Sequence, residues 1–285
     1  MRWIVGLDLR PGSEGPTRFA RWLLTARPPR PHGNAVYVHV LEEEHLRFAL
    51  RQHHLDEVTA AARTAAERLL ASAGASGEIR VVQGRTADEA LEEVRASVGA
   101  DGVVVGRAAG REGVAIVRLG RVARRMLRTL ASPVAVVPPD FRGEDAGDGP
   151  VVALSSLRDD AVGACRLAAT LAADLGRPLA VCHVARAEAL PYLPPAAIDL
   201  EARRAAGEAD LVGWLAAQGI RADATVALVG SPVDRALEWA EGARTPLVVA
   251  GSRRLSAVER MVQASAGTAL AATSGIPVLV VPPPA

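Results

Sequence analysis

Lysine is absent from this chain, and all 33 cationic side chains are arginine. That absence excludes Schiff-base chemistry on a lysine and the lysine of a P-loop. Aromatic residues make up only 3% of the sequence, so valine, leucine, alanine and isoleucine have to fill the hydrophobic core. The net charge is +1, with acids and bases interspersed, which argues against a nucleic-acid partner and against an anionic membrane surface.

Cysteine is scarce as well. Cys165 and Cys182 are the only two, and neither belongs to a Cys-x-x-Cys motif, so we interpret both as buried free thiols. No apolar run reaches the ~18 residues that a membrane span needs. Residues 1–10 lack the apolar region and cleavage site of a signal peptide. From these absences we expect a soluble, cytoplasmic protein.

An internal repeat is the most informative feature that the sequence does contain. Corresponding anchor residues in the two halves are separated by 144 to 146 positions. The pairs are His39 and His183, Gly84 and Gly230, Gly106 and Gly251, and Pro133 and Pro277. A repeat of this length predicts two copies of one domain.

Each half alternates short valine-rich runs with helical stretches, which is typical of a parallel sheet covered by helices on both faces. In the first half we predict strands near 2–8, 35–40, 78–83, 102–106 and 133–137, and helices near 15–26, 45–72, 86–98 and 118–131. The predicted fold class is therefore α/β, with two tandem doubly wound domains of five parallel strands each. We place the domains at 1–141 and 150–285, joined by a polar, glycine-rich linker at 142–149.

Several short motifs in these halves resemble the universal stress protein family in its tandem two-domain form. The first strand ends in Asp8, the second ends in His39-Val40, and a glycine-rich segment after the fourth strand is followed by Pro-Val-Ala-Val-Val. The resemblance covers almost all of both halves. It implies the strand order 3-2-1-4-5 in each half and a pairing of the last strands, 134–137 with 278–281, as an intramolecular pseudo-dimer. A homodimer also stays open.

Nucleotide-binding members of that family carry the motif G-x-x-G, nine residues and G-[ST] around ATP. The first half matches it with Gly106, Gly110 and Gly120, but it has three residues between the first two glycines and Arg121 in place of the hydroxyl residue. The resemblance implies that Asp8 contacts the nucleoside and that the backbone of Val40 meets adenine. The candidate nucleotide-binding residues are Gly6, Asp8, Val40, Val105, Gly106, Gly110, Gly120, Arg121 and Val122.

In a doubly wound sheet of this order, ligands bind beyond the carboxyl ends of the first and fourth strands, where the winding direction reverses. Asp8 and Gly106 end those two strands. Glycines allow backbone N–H groups to approach a phosphate, and Arg121 opens the next helix, where unpaired N–H groups and a guanidinium favour an anion. The alternative interpretation is a basic strand-to-helix turn whose arginines are only solvated.

The second half departs further from the motif. Ser155 stands at the aspartate position, and Gly251 is kept, but Arg254 and Ala264 replace the second and third glycines. The side chain at residue 254 would crowd the space that phosphates need. We therefore expect that this half has lost ATP binding and completes the pseudo-dimer.

The histidines favour structural roles. His45, His53 and His54 lie in a polar stretch that we interpret as a solvated helix start, with a metal site as the less favoured alternative. His39 and His183 lie in buried strands, where we favour histidines with satisfied hydrogen bonds over catalytic bases.

The function that we predict is a stress-response sensor or regulator that binds an adenine nucleotide (ATP, ADP or AMP), with or without Mg²⁺, in its first half. It would act on an unidentified regulatory protein, with at most slow, incidental ATP hydrolysis, because no nucleophile and base stand at a recognisable spacing. One alternative is a scaffold that binds no nucleotide and works through protein contacts. Another is an ATP-using enzyme of the same broad fold.

Overall fold

The computed structural model describes residues 1–25, 34–107, 119–186, 199–252 and 266–283. The chain forms two compact units. The first consists of Met1–Ala146 and Ala271–Pro277, and the second consists of Gly147–Leu270 and Val278–Ala285. The compact units therefore do not coincide with the two halves of the sequence repeat, because a short segment near the end of the chain belongs to the first unit.

The first unit alternates strands and helices along the chain. Its elements are β1 (Arg2–Gly6), α1 (Gly15–Leu24), β2 (Asn34–Glu42), α2 (Glu43–Ala49), α3 (Leu55–Ser72), β3 (Glu78–Gly84), α4 (Ala87–Val98), β4 (Gly102–Gly106), α5 (Arg121–Thr129), β5 (Val134–Val137) and a short 3₁₀ turn at Gly143–Asp145. Within the described residues, five strands of this unit are hydrogen-bonded in the order β3-β2-β1-β4-β5, all parallel.

The second unit repeats the same succession. Its strands and helices are β6 (Val151–Ser155), α6 (Asp159–Leu175), β7 (Leu179–Ala185), α7 (Leu200–Gln218), β8 (Ala224–Val229), α8 (Pro232–Gly242), β9 (Val248–Gly251), α9 (Ala266–Thr273, whose last residues count with the first unit) and β10 (Val278–Val281). The parallel order across its described strands is β8-β7-β6-β9-β10. The predicted fold class and the order 3-2-1-4-5 are thus confirmed for each unit.

Valine-rich strands form the core of each unit. In the first unit, the side chains of Val103–Val105 and of 134–137 are all buried, whichever face of the sheet they point to. Because helices cover both faces of a parallel sheet, every strand position has an apolar environment, and alternation of apolar and polar residues is lost. The sequence pattern of continuous valine runs follows directly from this arrangement.

One predicted helix proves to be two. We predicted a single helix near 45–72, but the structure has α2 and α3 with a turn at 50–54 between them. The backbone N–H groups of Gln52 and His53 both bond to the carbonyl oxygen of Ala49, which closes α2. The N–H of His54 then donates to Glu57 Oε2 at 3.1 Å, which starts α3. The acceptor that caps α3 lies inside the predicted helix, so the helical pattern alone hid the break.

No helix in the described part of the chain is long and apolar enough to cross a membrane.

Candidate functional site

The carboxyl ends of β1 and β4 lie side by side at the point where the winding direction of the first unit reverses. Val5 is in register with Val104, while β2 lies on the other side of β1 and β5 on the other side of β4. The chain leaves β1 toward Asp8 and leaves β4 at Gly106, so both segments emerge at the same edge of the sheet. This edge is where ligands bind in doubly wound folds.

Two candidate glycines permit close packing at this edge. A Cβ on Gly6 would lie 3.1 Å from Leu91 Cδ1 of α4, and a Cβ on Gly106 would lie 3.1 Å from Pro16 Cγ of α1. Both distances are tighter than ordinary carbon contacts. Each glycine therefore has a packing reason to be small, independently of any ligand.

Asp8 is held at the surface of the loop between β1 and α1. Its side chain is 56% exposed, and its Oδ1 accepts a hydrogen bond from the Arg10 backbone N–H at 3.3 Å and lies 3.2 Å from Arg10 Nε. The Ser13 hydroxyl lies within hydrogen-bonding range of the carbonyl oxygens of Asp8 and Arg10 and braces the loop. Chemically, the exposed carboxylate can accept hydrogen bonds from a ligand or neutralise a cation.

Three candidate valines lie on the elements that surround this edge. Val40 is half-buried on β2, in register with Val82 of β3. Val105 is buried on β4, where it contributes to the core. Val122 is the second residue of α5 and is half-buried. For these residues, only backbone groups are available for polar contact with a ligand.

The amino end of α5 carries backbone donors that have no partner among the described residues of the helix. Gly120 is the N-cap in an extended conformation and has no side chain to cap the helix. The N–H of Arg124 bonds to the carbonyl oxygen of Gly120, whereas the first-turn N–H groups before it have no partner within the helix. Such a helix end attracts anions. Gly110, the second glycine of the motif, lies outside the described residues.

Arg121 is paired with Glu42, which is not among the candidate residues. Glu42 is the last residue of β2, and its side chain is only 11% exposed. Its Oε1 accepts the backbone N–H of Ala87 at the start of α4 at 3.0 Å, and its Oε2 accepts a hydrogen bond from the Arg121 guanidinium. His45 Nδ1 lies 3.5 Å from the same Oε2. One carboxylate thus connects the ends of β2, α4 and α5.

The sequence contained a weak signal for this role. Glu42 opens the run Glu-Glu-Glu at the end of the second predicted strand, on the edge where ligands bind. We interpreted the acidic run as part of a solvated helix start. Only the first of its three carboxylates is turned inward.

Arg107 follows Gly106 directly, and its side chain is buried. Its backbone N–H continues the contact with β5 by bonding to Val137 O at 2.8 Å, and its guanidinium donates to the carbonyl oxygen of Ser274 at 2.5 Å within the first unit. Burial lowers the pKa of this guanidinium, and the negative charge of Asp140 partly opposes that effect. Arg107 is engaged inside the unit and is not free to bind a ligand at the surface.

The paired histidines make the same contact in both units. His39 Nδ1 lies 3.0 Å from the carbonyl oxygen of Leu7, and His183 Nδ1 lies 2.9 Å from that of Ser155. Because a carbonyl oxygen can only accept, Nδ1 carries the proton in each ring. The rings are half-buried, and they tie the second strand of each unit to the end of the first. This geometry agrees with the interpretation that both histidines have hydrogen-bond partners within their own units.

The corresponding edge of the second unit is closed by different contacts. A Cβ on Gly251 would lie 2.5 Å from the carbonyl oxygen of Asp160, because the start of α6 packs on this glycine. Ser155, at the position of Asp8, is buried and accepts a hydrogen bond from the backbone N–H of Leu157 at 3.1 Å. Arg254 and Ala264 lie outside the described residues.

The histidines of the α2 region pair with single carboxylates. His53 Nδ1 lies 3.8 Å from Glu57 Oε2, and its side chain is well exposed, as is that of His45. In the part of the chain that the structure describes, no cluster of three or more histidine, cysteine, aspartate or glutamate side chains could hold a metal ion.

An open groove of about 480 Å³ lies on the first unit between the start of α4 and the later turns of α5. It is lined by Arg85, Thr86, Asp88, Glu89, Arg125, Arg128 and Thr129. Arg85 pairs with Glu89, and Arg125 lies 3.4 Å from Asp88, so most of its charges are already paired. None of the lining residues belongs to the candidate set, and we do not assign the groove to the same site.

Sequence comparison decides the family. The sequence pattern of the universal stress protein family matches residues 1–138 and again 151–282. The chain belongs to the universal stress protein family. It is a tandem member, since the pattern matches twice along one chain.

Solved structures show the same tandem architecture. A universal stress protein from Archaeoglobus fulgidus DSM 4304 aligns with 99% of this chain and 98% of its own, with a TM-score of 0.62 and 17% identity. A functionally unknown protein from Pseudomonas aeruginosa PAO1 aligns with 99% of this chain and 92% of its own, with a TM-score of 0.68 and 13% identity. These similarities show the fold. Comparison with curated protein sequences found no match.

Proposed function

We propose that this tandem universal stress protein binds an adenine nucleotide in its first half and acts as a stress-response sensor or regulator. The observation that carries the proposal is the contact between Glu42 and Arg121. Glu42 ends β2 at the carboxyl edge of the sheet, so its contact with Arg121 means that the open amino end of α5 lies at that same edge. Amides at a helix start that have no partner within the helix favour phosphate.

The proposed roles follow from the groups available at this edge. The exposed carboxylate of Asp8 would accept hydrogen bonds from the nucleoside, and the backbone of Val40 would meet the adenine edge. The first-turn amides of α5 after Gly120 would hold the phosphates. Mg²⁺, where a triphosphate is bound, would have Asp8 as the candidate carboxylate that the family resemblance suggests. Asp8 and the open helix end fit a nucleotide, whereas Arg121 is already hydrogen-bonded to Glu42.

We also propose that the second half does not bind nucleotide. Two observations support this. The packing of the Asp160 carbonyl on Gly251 leaves less room than the packing of Pro16 on Gly106, and Ser155 offers no exposed carboxylate. The regulator would therefore carry one nucleotide per chain, and it would act on a protein partner in a nucleotide-dependent way, with hydrolysis slow and incidental.

Mass spectrometry of the denatured, purified protein tests the proposal, together with calorimetric titration of Mg-ATP, ADP and AMP. About one adenine nucleotide per chain, or saturable binding at one site, is the expected result. Absence of nucleotide combined with absence of binding heat for all three would overturn it and leave the scaffold function as the better account.

The variant Gly120→Asp sharpens this test. Aspartate is a good N-cap residue, so α5 should stay folded, while the added negative charge repels phosphate. We expect nucleotide affinity to fall by roughly tenfold or more with no loss of thermal stability. The matched control is Ser231→Asp, which makes the same change at the N-cap of α8 and should leave affinity unchanged.

A further inference from the structure

We propose that Glu42 competes with the phosphates of the nucleotide for Arg121 and thereby sets the nucleotide affinity of the first half. The inference rests on the proposed function, because it concerns the same binding edge. According to this inference, Glu42, which lies outside the family motif, controls how strongly phosphorylated ligands bind.

The carboxylate of Glu42 is fixed rather than loose. Most exposed ion pairs contribute little because both side chains have to be ordered. Here the Glu42 side chain is 11% exposed, and its Oε1 is already held by the N–H of Ala87. Its Oε2 is therefore presented to Arg121 in one place. Arg121, by contrast, is 51% exposed and can move toward solvent or a ligand.

Carboxylate and phosphate use the same donor groups of a guanidinium. Both bind the same positive charge through N–H···O bonds, so Arg121 binds a phosphate at the start of α5 more weakly while it is also bonded to Glu42. Contact between Arg121 and a phosphate therefore weakens or replaces its hydrogen bond with Glu42. A ligand without phosphate does not require this change.

The sequence of the second half has no counterpart of the Glu42–Arg121 ion pair. At the 144-residue spacing of the two histidines, the position of Glu42 is taken by Arg186, which is exposed. The helix that follows β8 begins at Pro232, which has no N–H for a carboxylate to accept. The competing carboxylate thus occurs only in the half that kept the aspartate and all three glycines of the motif.

The experiment compares the full-length wild-type protein with Glu42→Gln by calorimetric titration of ATP, ADP and adenosine. Glutamine keeps an Oε1 that accepts the Ala87 N–H, but it offers no charge to Arg121. We expect ATP and ADP to bind roughly 3- to 10-fold more tightly to Glu42→Gln, with adenosine affinity unchanged. Glu43→Gln, the adjacent and more exposed carboxylate paired with Arg47, should leave all three affinities unchanged.

The double variant Glu42→Gln/Arg121→Gln separates competition from general charge repulsion. If Glu42 acts through Arg121, then Glu42→Gln has no effect on ATP affinity in the Arg121→Gln background. An equal gain in both backgrounds, an equal gain from Glu43→Gln, or an equal gain for adenosine would overturn the inference.

The outcomes also separate this inference from the proposed function. Nucleotide binding to the wild type that does not change in Glu42→Gln overturns the inference and leaves the proposed function standing. Binding to Glu42→Gln alone supports the inference and shows that the pair suppresses the site. Absence of binding to every variant overturns both.

Discussion

At the scale of single residues, the two cysteines show how burial changes chemistry. Cys165 on α6 and Cys182 on β7 are both free and almost completely inaccessible. Burial raises the pKa of each thiol from 9.0 to about 12. The folded protein therefore holds these protons more tightly than the unfolded chain does. Their stabilising effect is complete below pH 9 and is lost as the pH rises toward 12.

We expect the free energy of unfolding to fall between pH 8 and pH 10 by roughly 1 kcal/mol for each thiol, because the unfolded chain loses protons that the folded protein keeps. Urea unfolding at both pH values measures this change. In the variant Cys165→Ala/Cys182→Ala, the free energy of unfolding should fall by about 2 kcal/mol less than in the wild type over the same pH interval. Burial also raises the pKa of Tyr37, but this residue is present in both proteins and contributes equally to the pH dependence of each. Identical pH dependence in the two would contradict the assignment.

At the scale of elements, the segment that enters β6 is packed and not a loose spacer. A Cβ on Gly147 or Gly149 would overlap the backbone carbonyl groups of Arg244 and Ala243. Gly149 also donates its N–H to Arg244 O at 3.0 Å, and Asp148 Oδ1 lies 2.7 Å from Arg244 Nε. These glycines are needed because two backbones approach closely.

Gly147→Ala should therefore lower the free energy of unfolding by about 1–3 kcal/mol, since the added methyl group forces the two backbones apart. Urea unfolding monitored by circular dichroism measures the loss. The matched control is Gly213→Ala on the exposed face of α7, where a Cβ meets nothing within 4 Å. That change should raise stability by roughly 0.5–1 kcal/mol. Equal effects at the two positions would refute the packing argument.

At the scale of the whole molecule, the boundaries of the two compact units differ from the boundaries of the two sequence repeats. The first unit includes residues 271–277 from near the end of the chain. Arg107, 9% exposed, donates to the carbonyl oxygen of Ser274 in that segment. The integrity of the first unit therefore depends on residues that lie far beyond the first repeat.

Arg107→Ala tests this dependence in the full-length protein. The variant removes a buried side chain and takes the guanidinium donor from Ser274, so we expect a loss of about 2–3 kcal/mol. Chemical unfolding gives the value. Arg128→Ala, an exposed arginine on α5, should change stability by less than about 0.5 kcal/mol. A loss from Arg107→Ala no larger than the control's would show that the segment contributes nothing through this contact.

The sequence predicted more of the fold than of the site. The spacing of repeated anchors and the valine runs predicted two parallel α/β domains, because buried strands need apolar residues on both faces. It did not predict the break between α2 and α3, because the acceptor Glu57 is hidden in a helical pattern. It also did not predict that Arg107 points inward while its neighbour Gly106 lies at the ligand edge.

For this protein, the sequence alone determined the repeat, the strand content and the retention of the glycine motif in one half. These are local properties that depend on composition and spacing along the chain. Only the tertiary structure decided which charges meet. Glu42 and Arg121 are 79 residues apart, and their contact exists because the ends of β2 and α5 come together at one edge of the sheet. Electrostatic pairing depends on distance in space, and no spacing rule in the sequence encodes it.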